Sequence, residues 1–330
     1  MIDFVLRSAE DGLATGLPFT LAFLGVWLVF RIQRDFDLTV DGTFSVGGAV
    51  ASAWIVRDLD PWIAMLLAGV VGGLGGLLTY ALMRGLRLSM VLTSITVSLG
   101  LYSVALFIMG KPNLAVIGHQ TIYTQFAEVT GLHPRDTLTI VLLSGSIVVA
   151  LYLLVGQFLK TELGLAMRAS GINPQMARTV GISPGIMLML AVVLGNALSG
   201  LSGALLTQQQ GFADVSMGVG IILFGITAVL LGEVATGGYR PGAVAVWPVL
   251  LGALLYRSLL AAAFRAGVPP QFFQGMTAAI VLSSVAVGQF ITRQRERRAE
   301  ARSRARGRSP GPAPESTPRD PVAGPPGAPP

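Results

Sequence analysis

An all-α, polytopic membrane bundle is the fold class this sequence predicts, and three observations predict it. Only 12% of its 330 residues are charged, while 52% are hydrophobic; a soluble domain carries roughly 25% charged residues. The apolar residues gather in runs of about 20, the length a helix needs to cross a hydrocarbon core. Arginines and other polar residues concentrate between those runs. Together these exclude a soluble multidomain protein. There is no cysteine, which also excludes disulfides, thiol nucleophiles and thiolate metal sites. The start, MIDFVLRSAEDG, has no basic region ahead of an apolar core. The first span, not a cleaved signal, is therefore expected to direct insertion.

Nine spans follow in order, at about 12–30, 38–56, 62–82, 89–109, 138–159, 185–206, 217–235, 241–263 and 272–291, each near the ~20 residues required. The second is interrupted by Asp41, Thr43 and Ser45. In the third, Gly69, Gly72, Gly73 and Gly76 form two overlapping Gly-xxx-Gly pairs, and the sixth carries a stripe of Gly195, Ser199 and Gly203. Small residues let helices approach closely in lipid, and packing within one subunit is the favoured reading over a seam between copies. Thr93, Ser94, Thr96 and Ser98 in the fourth span, and Asn196, Ser199 and Ser202 in the sixth, either line an aqueous path or bond to their own helices. Gln208, Gln209, Gln210 and Asp214 mark the outer end of the sixth span, as a gate, a docking surface or a plain interfacial loop.

Lysine and arginine fix the expected orientation. One set of loops holds Arg31, Arg34, Arg84, Arg87, Lys160, Arg168, Arg178, Arg240 and the tail from Arg293; the other holds Arg7, Arg57, Lys111, Arg135 and Arg265. The first set is expected in the cytoplasm, with the N-terminus outside and the C-terminus inside. The longest external loop, about Gly110–Thr137, contains both histidines, His119 and His133. Without clustered carboxylates they make a poor metal site, and no metal is expected. The loop reads as a landing surface for an external partner. From Arg293 the chain runs RQRERRAEARSRARGRS and then mostly Pro, Gly and Ala. This divides the chain into a membrane domain, 1–292, and a disordered cytoplasmic tail, 293–330, whose arginines face anionic lipid. The net charge of +6 collects there and is no nucleic-acid footprint.

The stretch Lys160 to Pro184, KTELGLAMRASGINPQMARTVGISP, is the longest polar interruption in the second half. Thr161 is placed to cap a helix running to about Ser170, with Gly171 ending it in a left-handed conformation. Asn173 caps a second short helix that has Pro174 at its first position and Gly181 past its end. Ser183 and Pro184 restart the next span. The expected product is a compact knob carrying Lys160, Arg168 and Arg178.

Its pattern, T-x-L-G-x-A-x-R-A-x-G-x-N-P-x-x-A-x-x-x-G-I, resembles the cytoplasmic coupling loop of ABC importer permeases of the branched-chain amino acid and ribose class. The resemblance covers about Gly12 to Ile291. It implies that Thr161, Gly164, Arg168, Ala169, Gly171, Asn173, Pro174, Ala177 and Gly181 build the contact with an ATPase. LTVDGTFSVGG, at Leu38–Gly48, matches the position of the class's second-helix motif, although DLTVDGTF is closer to a subgroup linked to aromatic amino acid uptake. Asp41, Gly42, Ser45, Thr96 and Asn196 are the candidates for a translocation path. For Asp41, capping its own helix is favoured slightly over touching solute. LLGEVATGGYRPGAV resembles the turn after the class's seventh span, with Gly232 matching and Glu233 departing from the usual Gly; an ion pair of Glu233 with Arg240 is expected.

No catalytic constellation and no G-x-x-x-x-G-K-[ST] loop occurs, so no catalytic residue and no cofactor is expected in this chain. The resemblance implies a permease subunit in the bacterial inner membrane that moves a small polar solute, an amino acid or relative. Its implied partners are a cytoplasmic ABC ATPase, an extracytoplasmic solute-binding protein, a second permease copy in a homodimer, and membrane lipid, with no nucleic acid. The alternative, an ion-coupled secondary transporter, needs intramembrane acids as relays, and Asp41 is almost the only one.

Overall fold

The computed structural model describes residues 2–237 and 246–269 and, beyond them, 272, 275–280, 282, 283 and 286, with side chains from Glu10 onward. The chain runs as α1 (Ile2–Trp27), a π-helical segment (Leu28–Gln33), α2 (Thr39–Ile55), α3 (Pro61–Leu86), α4 (Met90–Met109), β1 (Asn113–Ala115), α5 (Ile122–Thr130) and α6 (Thr137–Phe158). It continues as α7 (Glu162–Ile172), α8 (Pro174–Thr179), α9 (Pro184–Gln210), β2 (Phe212–Asp214), α10 (Ile221–Ala235) and α11 (Trp247–Arg265).

Six of the described helices are long and apolar enough to cross a membrane: Glu10–Gln33, α3, α4, α6, α9 and α11. Of the remaining expected spans, the second keeps its expected bounds to within a residue, set off from α1 by the non-helical stretch Arg34–Leu38, in which Arg34 is left-handed at φ 58°. α2 is thus 17 residues long. The seventh is shortened to the 15 residues of α10, because Val215–Gly220 runs as turns before the helix starts. Only half of the span expected at 272–291 is described, and the tail from Arg293 lies outside the described residues. The long loop is not featureless. It holds α5, with a capping box between Thr121 and Thr124, and β1, which pairs antiparallel with β2 so that Leu114 faces Ala213.

The packing centres on α9, which touches α1, α2 and α3. Its small residues make the contact possible. A Cβ on Gly200 would stand 2.2 Å from the Ala68 carbonyl, and one on Gly47 would stand 2.2 Å from the Gly200 carbonyl. Backbones this close gain dispersion contacts that lipid does not replace. The glycine stripes therefore serve packing inside this chain.

Pro18 lies within α1. It has no N–H, so the Ala14 carbonyl one turn earlier loses its helical donor. Gln209 Nε2 donates to that carbonyl at 2.8 Å, and Ser202 Oγ donates to the Pro18 carbonyl at 2.6 Å. Gln208 Oε1 accepts from the Ile122 N–H at 3.0 Å. Gln208 and Gln209 thus brace the backbone of α5 and α1 against the end of α9.

Candidate functional site

Two regions contain the residues singled out by sequence. The first is a buried polar centre where the starts of α2 and α10 meet the middle of α9. The Asp37 carboxylate accepts from Asn196 Nδ2 at 2.6 Å and from the Thr39 N–H at 2.9 Å. Asn196 Oδ1 accepts from Thr43 Oγ1 at 2.8 Å, and the hydroxyls of Thr39 and Thr79 are 2.8 Å apart. Asp37, Thr39, Thr43, Thr79 and Asn196 are all buried, and their polar atoms are matched with one another, as a low-dielectric interior requires.

Asp41, in the first turn of α2, serves α10. Its two carboxylate oxygens accept from the Gly220 N–H at 3.0 Å and the Ile222 N–H at 2.9 Å. Ser45 Oγ accepts from the Gly218 N–H at 3.0 Å. Asp41 therefore caps, but it caps a different helix from the one it belongs to. The four leading N–H groups of any helix lack internal partners and favour an anion. Gly42 is needed because α4 lies against it: a Cβ there would be 2.9 Å from the Ser98 Cα.

The five path candidates are not gathered in one place. Asp41, Gly42 and Ser45 share the start of α2, and Asn196 joins that centre through Thr43 and Asp37. Thr96 is on the exposed face of α4, its hydroxyl donating to the Leu92 carbonyl at 2.9 Å. Asp37 was not among the sequence candidates; it lies in the non-helical stretch before α2, where no helical spacing points to it.

The second region is the knob, α7 and α8. The Thr161 side chain accepts from the Gly164 N–H, and Asn173 Oδ1 accepts from the Gln175 and Met176 N–H groups at 3.1 and 3.0 Å, with Pro174 at the first position. Gly181 is left-handed, at φ 82°. These match the expected punctuation, but Gly171 does not. The first helix runs through Gly171 to Ile172. The residue is a glycine because a Cβ there would lie 1.7 Å from the Ile32 carbonyl oxygen. The knob is seated on the π-helical end of α1 at this point, and Gln33 Nε2 adds a hydrogen bond to the Met167 carbonyl at 2.9 Å. A π segment widens the turn and often marks a functional position. Gly164 is likewise closed in, against the Phe158 carbonyl, and Ala177 is buried. Arg168 is half-buried, while Ala169, Asn173 and Pro174 are exposed. Leu165, Ile172, Met176 and Val180 are each more than half exposed, giving the knob an uncovered apolar surface.

Glu233 pairs with Arg31 of the π segment. Arg31 Nε donates to Oε1 at 2.7 Å, and Arg31 Nη2 donates to Oε2. Fork-to-carboxylate geometry of this kind is the strong form of the pairing. Arg240 lies outside the described residues. Arg31 therefore links the segment under the knob to the end of α10, whose start Asp41 caps.

The sequence model of the branched-chain amino acid transport system permease component family matches residues 8–285. A tyrosine transport system permease protein of Clostridioides difficile is 27% identical over 82% of this chain and 88% of its own length. An uncharacterized protein of Rickettsia prowazekii, RP368, is 34% identical over 64% of this chain and 71% of its own. The fructose import permease FruF of Bifidobacterium longum is 24% identical over 87% and 78%.

Proposed function

The chain belongs to the family of branched-chain amino acid transport system permease components, non-catalytic subunits of ABC transporters in the bacterial inner membrane, and from that membership we propose the following. It forms the translocation path of an ATP-driven importer, as a homodimer with the N-terminus outside and the C-terminus in the cytoplasm. A cytoplasmic ATPase binds the knob, and an extracytoplasmic binding protein delivers the solute. The solute is a small polar molecule of the amino acid class; the name of the tyrosine transport relative supports this class over a sugar. The chain holds no nucleotide of its own.

The observation that carries the reading is the knob. It presents uncovered apolar side chains outward, and its inner side is locked to α1 by a glycine that admits no gap. A load on the outer face therefore moves the π segment and, through Arg31 and Glu233, the end of α10. The ion-coupled alternative is disfavoured because both oxygens of Asp41 are occupied by backbone N–H groups.

The test is ATP hydrolysis by the complex reconstituted with its ATPase and binding protein. Met176→Asp together with Val180→Asp is expected to leave the permease inserted and to lower binding-protein stimulation by about tenfold or more, the scale of losing a central contact. Full stimulation in that variant sinks the coupling assignment.

A further inference from the structure

Arg257 belongs to neither the polar centre nor the knob. It lies in the middle of α11, eight residues before Arg265, which donates to Asp11 at 2.7 Å. At 1.5 Å per residue it stands about 12 Å inside that end of the helix. Its Nε is buried without a hydrogen-bond partner, and among the described residues no carboxylate pairs with it. An ionised group in a span is costly, and such a group ordinarily faces a partner or an aqueous cavity.

Three observations describe the surroundings of Arg257. The exposed stripe of α11 is Leu251, Leu255 and Leu259; Arg257 is about half a turn away from it, on the opposite side of the helix. Its guanidinium carbon lies 3.5 Å from the centroid of the Phe19 ring on α1, and Phe19 stacks on Phe44 of α2 at 5.7 Å. Finally, Arg257 and Phe19 are only half-buried, while Pro18, Thr20 and Tyr256 beside them are buried. The missing side chain of Gly16 makes room for the arginine stem, whose Cβ and Cγ would be 3.0 Å from a Cβ at that position. The arginine is thus held against an aromatic shelf, half-buried, with its Nε unbonded. A ring face offsets part of a cation's desolvation but fills none of its N–H groups; a planar oxyanion fills two at once.

We propose that Arg257 and Phe19 form an oxyanion site between α1 and α11 that receives the carboxylate of the carried solute. The site rests on the reading of this chain as a permease for an amino acid-class solute. The shared chemistry is a carboxylate or a phosphate, and a lipid headgroup is the rival source.

The full-chain permease, in nanodiscs of phosphatidylcholine, is titrated with sodium benzoate, with benzamide as the neutral isostere, and the thermal unfolding midpoint is followed. Benzoate is expected to raise the midpoint saturably and benzamide to leave it unchanged. Arg257→Gln should abolish the rise, and Arg257→Lys, which keeps the charge but not the planar fork, should weaken half-saturation by about tenfold. Equal responses to the two probes, or an undiminished benzoate response in Arg257→Gln, overturns the site. Phe19→Leu guards against loss of folding: it keeps the arginine and an apolar filler, and should weaken the benzoate response while the unliganded midpoint stays close to the parent's. An unaltered response there removes the shelf. Adding phosphatidylglycerol to the nanodiscs should not change the titration; competitive loss of the benzoate response would give the site to lipid and overturn the solute assignment. Neither ATPase nor binding protein enters this titration, so its failure leaves the importer reading standing, and failed ATP-driven uptake leaves the titration standing.

Discussion

At the residue scale, single atoms decide what a position tolerates. Gly171 is helical, and its only demand is space against the Ile32 carbonyl. Even Gly171→Ala should therefore lift the knob from α1, at a cost of roughly 1–3 kcal/mol, as for other overpacked contacts. The expected readout is a lower unfolding midpoint together with weakened stimulation of ATP hydrolysis. A left-handed glycine such as Gly181 has open space around it, and Gly181→Asn should be mild because Asn enters that conformation readily. A midpoint unchanged in Gly171→Ala would refute the contact. Asp41→Asn turns one of two acceptors into a donor facing a helix N-terminus, so about 1–3 kcal/mol should be lost. Preserved stability there would mean that the carboxylate is not the cap of α10.

At the element scale, two broken spans acquire their stability from neighbours. α2 and α10 are shorter than a full span, and their starts are held by Asp37, which accepts from the Thr39 N–H, and by Asp41. α1 contains Pro18, and α9 lends it Gln209. Gln209→Leu would leave the buried Ala14 carbonyl without a donor, costing about 1–3 kcal/mol, whereas the same change at Gln210, which donates only to the Phe212 carbonyl two residues on, should cost less. Arg31 and Glu233 join the π segment to α10 in a part-buried pair. Removing one partner strands the other's charge, so Arg31→Gln and Glu233→Gln should each destabilise more than the double variant does. Thermal unfolding of the three proteins measures this, and additive losses would argue against direct coupling.

At the scale of the whole molecule, the arginine distribution makes a claim about which end of the bundle faces which compartment. The absence of cysteine allows single reporters. Val129, at 87% exposure in α5, is a better external reporter than Thr121, which is buried as the α5 cap. Val129→Cys should label with a membrane-impermeant maleimide in intact cells, and exposed Gln175→Cys in the knob only after permeabilisation. The reverse pattern would invert the molecule and remove the knob from the ATPase side.

The sequence by itself determined the helical membrane class, the positions of most spans and the punctuation of the knob. These follow from local chemistry: runs of apolar residues, a proline at a first turn, and Thr or Asn side chains accepting from N–H groups two or three residues on. The matched family then confirmed the class. What only the tertiary structure decided is which distant groups meet. Gly171 against Ile32, Asp41 on α10, Glu233 with Arg31, and Arg257 over Phe19 each join residues far apart in the chain. No local pattern encodes such a meeting, because a carboxylate or a missing Cβ has the same sequence signature whichever helix it serves. The packing of helices supplies the partner, and the partner sets the role.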